Sequence, residues 1–207
     1  MWRAAVAGRL VDVRDEGGLA AALDAAATTL GGDGGIDVMC NNAGIATPLM
    51  EDIDRAVAIN LTAVLKGTKL AKERMPRGGV IVNTASVAGL GPVDFSPVYA
   101  ATKAGVVNFT RSLGWLADAD GIRVVAICPN FTDTAMVRTS LDDPSFAAVV
   151  AAQPGGLLTP DRVAAALALA LDDATLAGVT ILVTASRGAR VVPLARGGAT
   201  SLPPPKL

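Results

Sequence analysis

Histidine is absent from the 207 residues, and tyrosine occurs once. The first absence removes a histidine general base, a Ser-His-Asp triad and most catalytic zinc sites. Proton transfer then falls to tyrosine, lysine or carboxylates. Aromatic residues make up 3% of the chain, and 18 Lys and Arg nearly balance 19 Asp and Glu. No basic run interleaved with aromatics is present, so the electrostatic footprint of a nucleic-acid binder is missing. Apolar stretches of about 20 residues, the length needed to span a bilayer, are also missing. The opening Met1 to Arg9 holds two arginines and no apolar run of signal-peptide length before Asp12. A cytoplasmic location is expected, with neither membrane nor nucleic acid as partner.

Only two cysteines occur, Cys40 and Cys128, each closing an apolar, strand-like run. With another strand between them they stand about 9 to 10 Å apart on the usual strand spacing, too far for a bridge. Reduced thiols are therefore expected.

What the chain does have is 51% hydrophobic residues, enough for one domain with a substantial core and too little length for two. Short β-branched runs alternate with longer helical ones, which predicts a parallel sheet with helices on both faces. Strands are expected at Leu10 to Val13, Ile36 to Cys40, Val80 to Val82, Ile122 to Cys128 and Val179 to Val183, the last closing the sheet. An alanine-rich helix is expected from about Leu19 to Leu30, ended by the glycine-rich stretch 31–35. In the span from Glu51 to Met75, Ile53, Val57, Leu61 and Leu65 recur every fourth residue, as on one helix face, and Pro76 marks the stop. Ser96 and Pro97 read as N-cap and first helical residue, and Thr159-Pro160 repeats that signal before a helix ending near Asp173. The interruption from Pro129 to Pro160 has the length of a lid or binding loop. Residues 1–190 are expected to form one domain and 191–207 a flexible tail.

Chemistry concentrates around the single tyrosine. Tyr99 and Lys103, four apart on a predicted helix, place a phenol and an ammonium on one face, where each changes the other's proton affinity. Tyr-x-x-x-Lys alone is common by chance. Here the stretch from Gly79 to Gly89 ends a buried strand with the Ser86 hydroxyl at its carboxyl end, where ligands bind in open parallel sheets. Asn60 lies within a helical pattern, and Asn41-Asn42-Ala43-Gly44 ends another apolar run; by residue type alone that segment also reads as a plain strand-to-turn transition.

Together these residues resemble the active site of short-chain dehydrogenases/reductases, over roughly residues 10 to 188. The resemblance implies a Rossmann-like, doubly wound parallel sheet and a catalytic set of Asn60, Ser86, Tyr99 and Lys103. Tyr99 is then the acid/base, Ser86 bonds the same substrate oxygen, Lys103 holds the nicotinamide ribose and Asn60 positions a relaying water. Cofactor contacts are implied at Val11, Asp12 and Val13 near the adenine, at Asn42, Ala43 and Gly44, at Tyr99 and Lys103, and at Pro129, Thr132, Asp133 and Thr134 near the carboxamide. Asn130 stands where the family usually has glycine, and asparagine tolerates the positive φ such a position can demand.

Stretches such as 88–93, 97–99, 126–129 and 184–188 are similar to 15-hydroxyprostaglandin dehydrogenase-like members. That similarity implies NAD, with NADP as the alternative, and a hydrophobic secondary alcohol or ketone. Ser96 stands where those members have a substrate-binding glutamine, which argues against prostaglandin specificity. A homodimer, or a dimer with a full-length relative through the helices around Leu61 and Val107, is implied as well.

Family members begin with a strand, a glycine-rich turn, a helix, a strand and a helix before the segment matching Val11 to Val13. This chain has about ten residues there. The expectation is a fold lacking its first two strands and its phosphate-binding loop, an N-terminally truncated member whose activity is doubtful. In the absence of those strands, either Leu10 to Val13 crosses to pair with Ile36 to Cys40, or that apolar edge stays open. The competing reading is a catalytically silent interaction module.

Overall fold

A computed structural model describes residues 8–30 and 35–193. Five strands form one sheet in the order β1 (Val38–Asn41), β2 (Val80–Thr84), β3 (Arg123–Pro129), β4 (Val179–Thr184) and β5 (Gly188–Val192). The first four run parallel, and β5 returns antiparallel to β4. The helices are α1 (Glu16–Leu30), α2 (Ile53–Val57), α3 (Ala63–Lys72), α4 (Pro97–Ser112), α5 (Leu116–Ala119), α6 (Ala135–Arg138), α7 (Pro144–Ala151) and α8 (Pro160–Asp172). This is the α/β, Rossmann-like architecture predicted.

The alternation of β2 explains the two layers. Val80 and Val82 face α8 together with Val125, Ile127, Ile181 and Val183, and the small Ala166 and Ala170 let that helix lie close. Ile81 points the other way with Val124, toward Ala71 of α3 and Leu116 of α5. Ala126 and Cys128 share that second face with Val64 of α3 and Val106 and Val107 of α4. Each fully buried valine or isoleucine contributes about 1.5–3 kcal/mol against exposure, so the three central strands carry most of the apolar stabilisation.

Three expectations need correction. Leu10 to Val13 is not a strand: Val13 and Arg14 turn, Asp15 N donates to Asp12 O at 3.0 Å, and Arg14 folds back on the Asp12 carboxylate. Among the described residues the run has no neighbouring strand to return the entropy of extending it. The outer edge of β1 is consequently unpaired among the described residues. Val80 N donates to Asp37 O, which leaves the main-chain groups of Val38 and Cys40 pointing away from β2.

Second, β4 does not close the sheet. Ala185 to Arg187 and Gly188, at φ 67, turn the chain into β5, where Val191 and Val192 oppose Ile181 and Thr180. The expected tail boundary after residue 190 thus falls inside a strand, and residues 194–207 lie outside those described. Third, the helix from residue 51 onward is not one regular stripe. It is α-helical over Ile53–Val57, a π-helix over Ala58–Thr62, and α-helical again over Ala63–Lys72.

The predicted strand at Ile36 begins as β1 at Val38, and α1 starts three residues early at Glu16. The glycine stretch 31–34 falls outside the described residues. Cys40 and Cys128 are free, with β2 between their strands.

Candidate active site

Asn60 sits in the middle of the π segment, where Ala63 N reaches back five residues to Ala58 O. Such single-turn widenings recur at functional sites because they re-aim one side chain. Here the amide is fully buried and clasps Ile45: Ile45 N donates to Oδ1 at 2.8 Å and Nδ2 donates to Ile45 O at 2.9 Å. Both ends of the Asn60 side chain thereby pin the loop that follows β1. Gly44, in that loop, is the contact between two expected site residues. A Cβ added there would lie 3.3 Å from Asn60 Oδ1 and 3.5 Å from Lys103 Nζ.

α4 delivers Tyr99 and Lys103. Ser96 does occupy its N-cap position, yet the hydroxyl donates to Thr47 O instead of capping. Lys103 is buried at 3% exposure, with Nζ donating to Thr84 O at 2.8 Å and lying 5.6 Å from the Tyr99 ring centroid. Burial lowers its pKa to about 8. The Tyr99 phenol is pushed up, chiefly by burial, while the Ser86 hydroxyl within bonding reach offsets part of that rise. Desolvation of the phenolate is thus the largest influence on Tyr99 in the free protein. Ser86 ends the loop after β2, and its Oγ accepts from Ala88 N at 3.2 Å. Beneath them the Cys128 thiol, raised to about 12 by burial, stays protonated.

Gly89 explains how the Ser86 loop sits so near α4, since a Cβ there would come within 2.6 Å of the Lys103 carbonyl oxygen. Asn60, Ser86, Tyr99 and Lys103 are thus drawn together at the carboxyl ends of β1 and β2, as read from sequence. Their hydrogen bonds are internal ones, to Ile45, Ala88 and Thr84.

On the far side, Val13, Asn42 and Ala43 line a crevice of about 170 Å³ with Leu19, Cys40 and Ile59. Asn42 is tied to β2, because Thr84 Oγ1 donates to its Oδ1 at 3.1 Å. Val11 is half-buried and outside this lining. The Asp12 carboxylate is exposed and already bound by Arg14 at 2.6 Å, which lowers it to about 2. Pro129 ends β3, Thr132 bridges Leu158, Asp133 pairs with Arg138 at 2.6 Å, and Thr134 precedes α6. These last four form the base of the α6–α7 segment. Asn130 does not need positive φ; its amide instead donates to Gln153 Oε1 at 2.9 Å.

A family model described as short chain dehydrogenase matches residues 3–145. The chain belongs to the short-chain dehydrogenase family. Among curated family members, human 15-hydroxyprostaglandin dehydrogenase is 33% identical over 170 residues, covering 75% of this chain and 63% of that protein. Cis-4-hydroxycyclohexanecarboxylate dehydrogenase of Sinomonas cyclohexanicum is 39% identical over 173 residues, covering 79% and 68%. The chain therefore spans less than two thirds of the human relative's length. A solved structure titled ElxO with NADP bound has the same fold, with TM-score 0.74 and 24% identity, over 83% of this chain and 74% of that one.

Several contributors to this short-chain dehydrogenase site were not singled out from sequence. Thr84 anchors Lys103 through its carbonyl, and Ile45 anchors Asn60 through its main chain, so side-chain identity carries no signal for either. Phe95, Phe131 and Phe146 pack edge to face at 5.7 and 5.5 Å, joining the loop before Tyr99, the loop after β3 and α7. Three of the chain's four phenylalanines meet there, although they are far apart in sequence. Among the described residues no helix is long and apolar enough to cross a membrane, and no metal-binding cluster of three acidic, His or Cys residues occurs.

Proposed function

We propose that the chain is a nicotinamide-dependent oxidoreductase interconverting a secondary alcohol and a ketone, with Tyr99 as the acid/base. The observation that carries this reading is the convergence of Tyr99, Ser86 and a buried Lys103 that has no carboxylate partner among the described residues. The residues fit a nicotinamide dinucleotide at the reactive end: Gly44 leaves open the space between Asn60 and Lys103, and the Val13, Asn42 and Ala43 crevice is apolar enough for a base. They fit the pyrophosphate less well, since α1 begins beside the crevice with the Asp15 carboxylate and with Glu16, whose charge Lys66 offsets at 2.9 Å.

When bound, the cofactor supplies or accepts the hydride at the carbinol carbon. In the reductive direction the neutral Tyr99 phenol, favoured by burial, gives its Oη proton to the substrate oxygen. Ser86 Oγ hydrogen-bonds the same oxygen and keeps it within reach. In the oxidative direction the phenolate takes the alcohol proton, and the Lys103 ammonium stabilises that phenolate at close range. Phe95, Phe131 and Phe146 offer an apolar wall, which suits a hydrophobic flank on the substrate. NAD, printed in the human relative's name, is the first cofactor to test.

A silent interaction module is the second reading, favoured by the unpaired β1 edge and by Ile53 and Val57, exposed at 45% and 36% on α2. The pairing proposed through the helices around Leu61 and Val107 would use their outward faces, since Leu61 packs against Gly105 of α4 and Val107 is buried. A titration with NADH and NADPH, followed by nucleotide fluorescence, separates the readings. Saturable binding near micromolar with turnover lost in Tyr99→Phe supports the oxidoreductase; a folded protein that binds neither nucleotide supports the module.

A further inference from the structure

Four buried polar side chains from four different elements meet beneath the site. Asn41 on β1, Thr68 on α3, Asn83 on β2 and Thr110 on α4 are each 8% exposed or less. Asn83 is the hub. Its Oδ1 accepts from Asn41 Nδ2 at 2.8 Å and from Thr68 Oγ1 at 3.2 Å, while its Nδ2 donates to Thr110 Oγ1 at 3.0 Å. Asn41 Nδ2 also donates to Thr68 Oγ1 at 3.1 Å. α3 approaches this closely because residue 67 is glycine; a Cβ there would collide with Asn41 Oδ1.

Buried hydrogen bonds add little net stability over an apolar filling of the same shape. What they add is direction, since an oriented amide tolerates less sliding than a methyl group does. Thr110 lies seven residues after Lys103, about two turns on and on the same face of α4. Asn83 immediately precedes Thr84, whose carbonyl accepts from Lys103 and whose hydroxyl donates to Asn42. α4 is therefore bonded to β2 at two points along one line: Lys103 to the Thr84 carbonyl, and Thr110 to the Asn83 side chain.

We propose that Asn83 and Thr110 are positioning residues: their side-chain bond sets the depth at which α4 holds Lys103 against Thr84, and hence Tyr99 against Ser86. The consequence for catalysis rests on the oxidoreductase reading, whereas the geometry is testable without turnover. Among the described residues, the titratable groups facing Lys103 are Tyr99 on its own helix and Cys128 on β3; Arg111 in turn acts on Cys128. The polar groups beside it from the β1 loop, the π segment and β2 are uncharged.

The test tracks the Lys103 side chain by NMR in lysine-labelled protein, with its resonance assigned by Lys103→Arg. Thr110→Val, which removes the hydroxyl and keeps the shape, is expected to let α4 ride outward. The Lys103 pKa then moves up from about 8 toward its ordinary 10.5. Thr110→Ser restores the starting value. Val106→Ala opens space in the same helix without touching the bond, so it lowers Tm and leaves Lys103 unmoved. Thr68→Val, which spares the Asn83–Thr110 bond, leaves it unmoved too. If Thr110→Val fails to fold, Thr110→Ser and Thr110→Ala, differing by one hydroxyl, give the same comparison.

With substrate and cofactor, Thr110→Val is expected to lower kcat/KM by about tenfold or more and to shift the pH profile in the same direction as Lys103. An unmoved Lys103 in Thr110→Val, or an equal shift in Val106→Ala or Thr68→Val, overturns the proposal. A shifted Lys103 in a protein that turns over nothing sinks the oxidoreductase reading and leaves the positioning role standing.

Discussion

Lys103, Asn60 and Asn83 are buried with their polar atoms bonded inside the fold, whereas Val38, Cys40 and Asp12, on the other side of the crevice, are exposed. The first group is held from several elements at once. The second rests on one neighbouring strand or, for Asp12, on an arginine two residues away. Tyr99 and Lys103 sit on α4, Ser86 just after β2 and Asn60 in the π segment, so this cluster rests on the well-packed middle of the fold. On the proposed oxidoreductase reading a nucleotide base would lie in the crevice beside β1, the strand whose outer edge is unpaired among the described residues. The sheet's other edge makes the point sharper: β5 carries Arg190 and is followed by Pro193, two ordinary guards against strand addition, while β1 reads Val-Met-Cys-Asn with neither.

The strongest way to break this contrast is Tyr99→Phe. Loss of the phenolic proton is expected to cut kcat by about 10²–10⁴-fold with circular dichroism unchanged; retained turnover would move the acid/base elsewhere.

Next comes Lys103→Met. The folded pKa of Lys103 lies below its unfolded value, so burial of the ammonium destabilises the protein fully below pH 8. That penalty is relieved as pH rises from 8 to 10.5. Denaturant unfolding of wild type should gain on the order of 3 kcal/mol relative to Lys103→Met across this window. A constant difference would mean that Lys103 is solvated.

Gly44→Ala probes the junction of the two regions. The new methyl would stand 3.3 Å from Asn60 Oδ1 and 3.5 Å from Lys103 Nζ, and overpacking of this kind costs about 1–3 kcal/mol. Nucleotide binding, read by fluorescence titration, should weaken more than stability falls.

The smallest effect is expected from Val38→Lys. A charge on the exposed edge changes stability by about 0.5 kcal/mol or less, yet it should raise the monomer fraction in size-exclusion chromatography. An unaltered elution profile would show that the β1 edge is not sticky.

Much of this was legible in the chain. The run Val80-Ile81-Val82 and the span Ile122 to Cys128 are apolar throughout, as strands covered on both faces must be, and both became central strands. Ser86, Tyr99 and Lys103 converge because a strand end and a helix start are fixed positions. What escaped was set by phase and by main chain. The repeat Ile53, Val57, Leu61, Leu65 suggests one buried face, but Ile53 and Val57 are exposed while Asn60, Val64 and Ala71 are buried. The π segment puts the first half of the helix out of step with the second, and no propensity encodes it. Leu10 to Val13 has strand-like residues without a neighbour to pair with. Gly188 to Val192 is a short run whose neighbour is the strand just before it, visible only once the turn at Gly188 is known.

That π segment also makes the site sensitive to a particular kind of genetic lesion. Removing one codon anywhere between residues 58 and 62 would leave composition and hydrophobic content almost untouched. A one-residue deletion, however, turns this wide turn into an ordinary α turn: the helices on either side keep nearly the same facing, but the widening is gone. A straightened helix would leave α3 on the sheet and take the Asn60 amide away from Ile45. At this point in the gene, length matters more than letters.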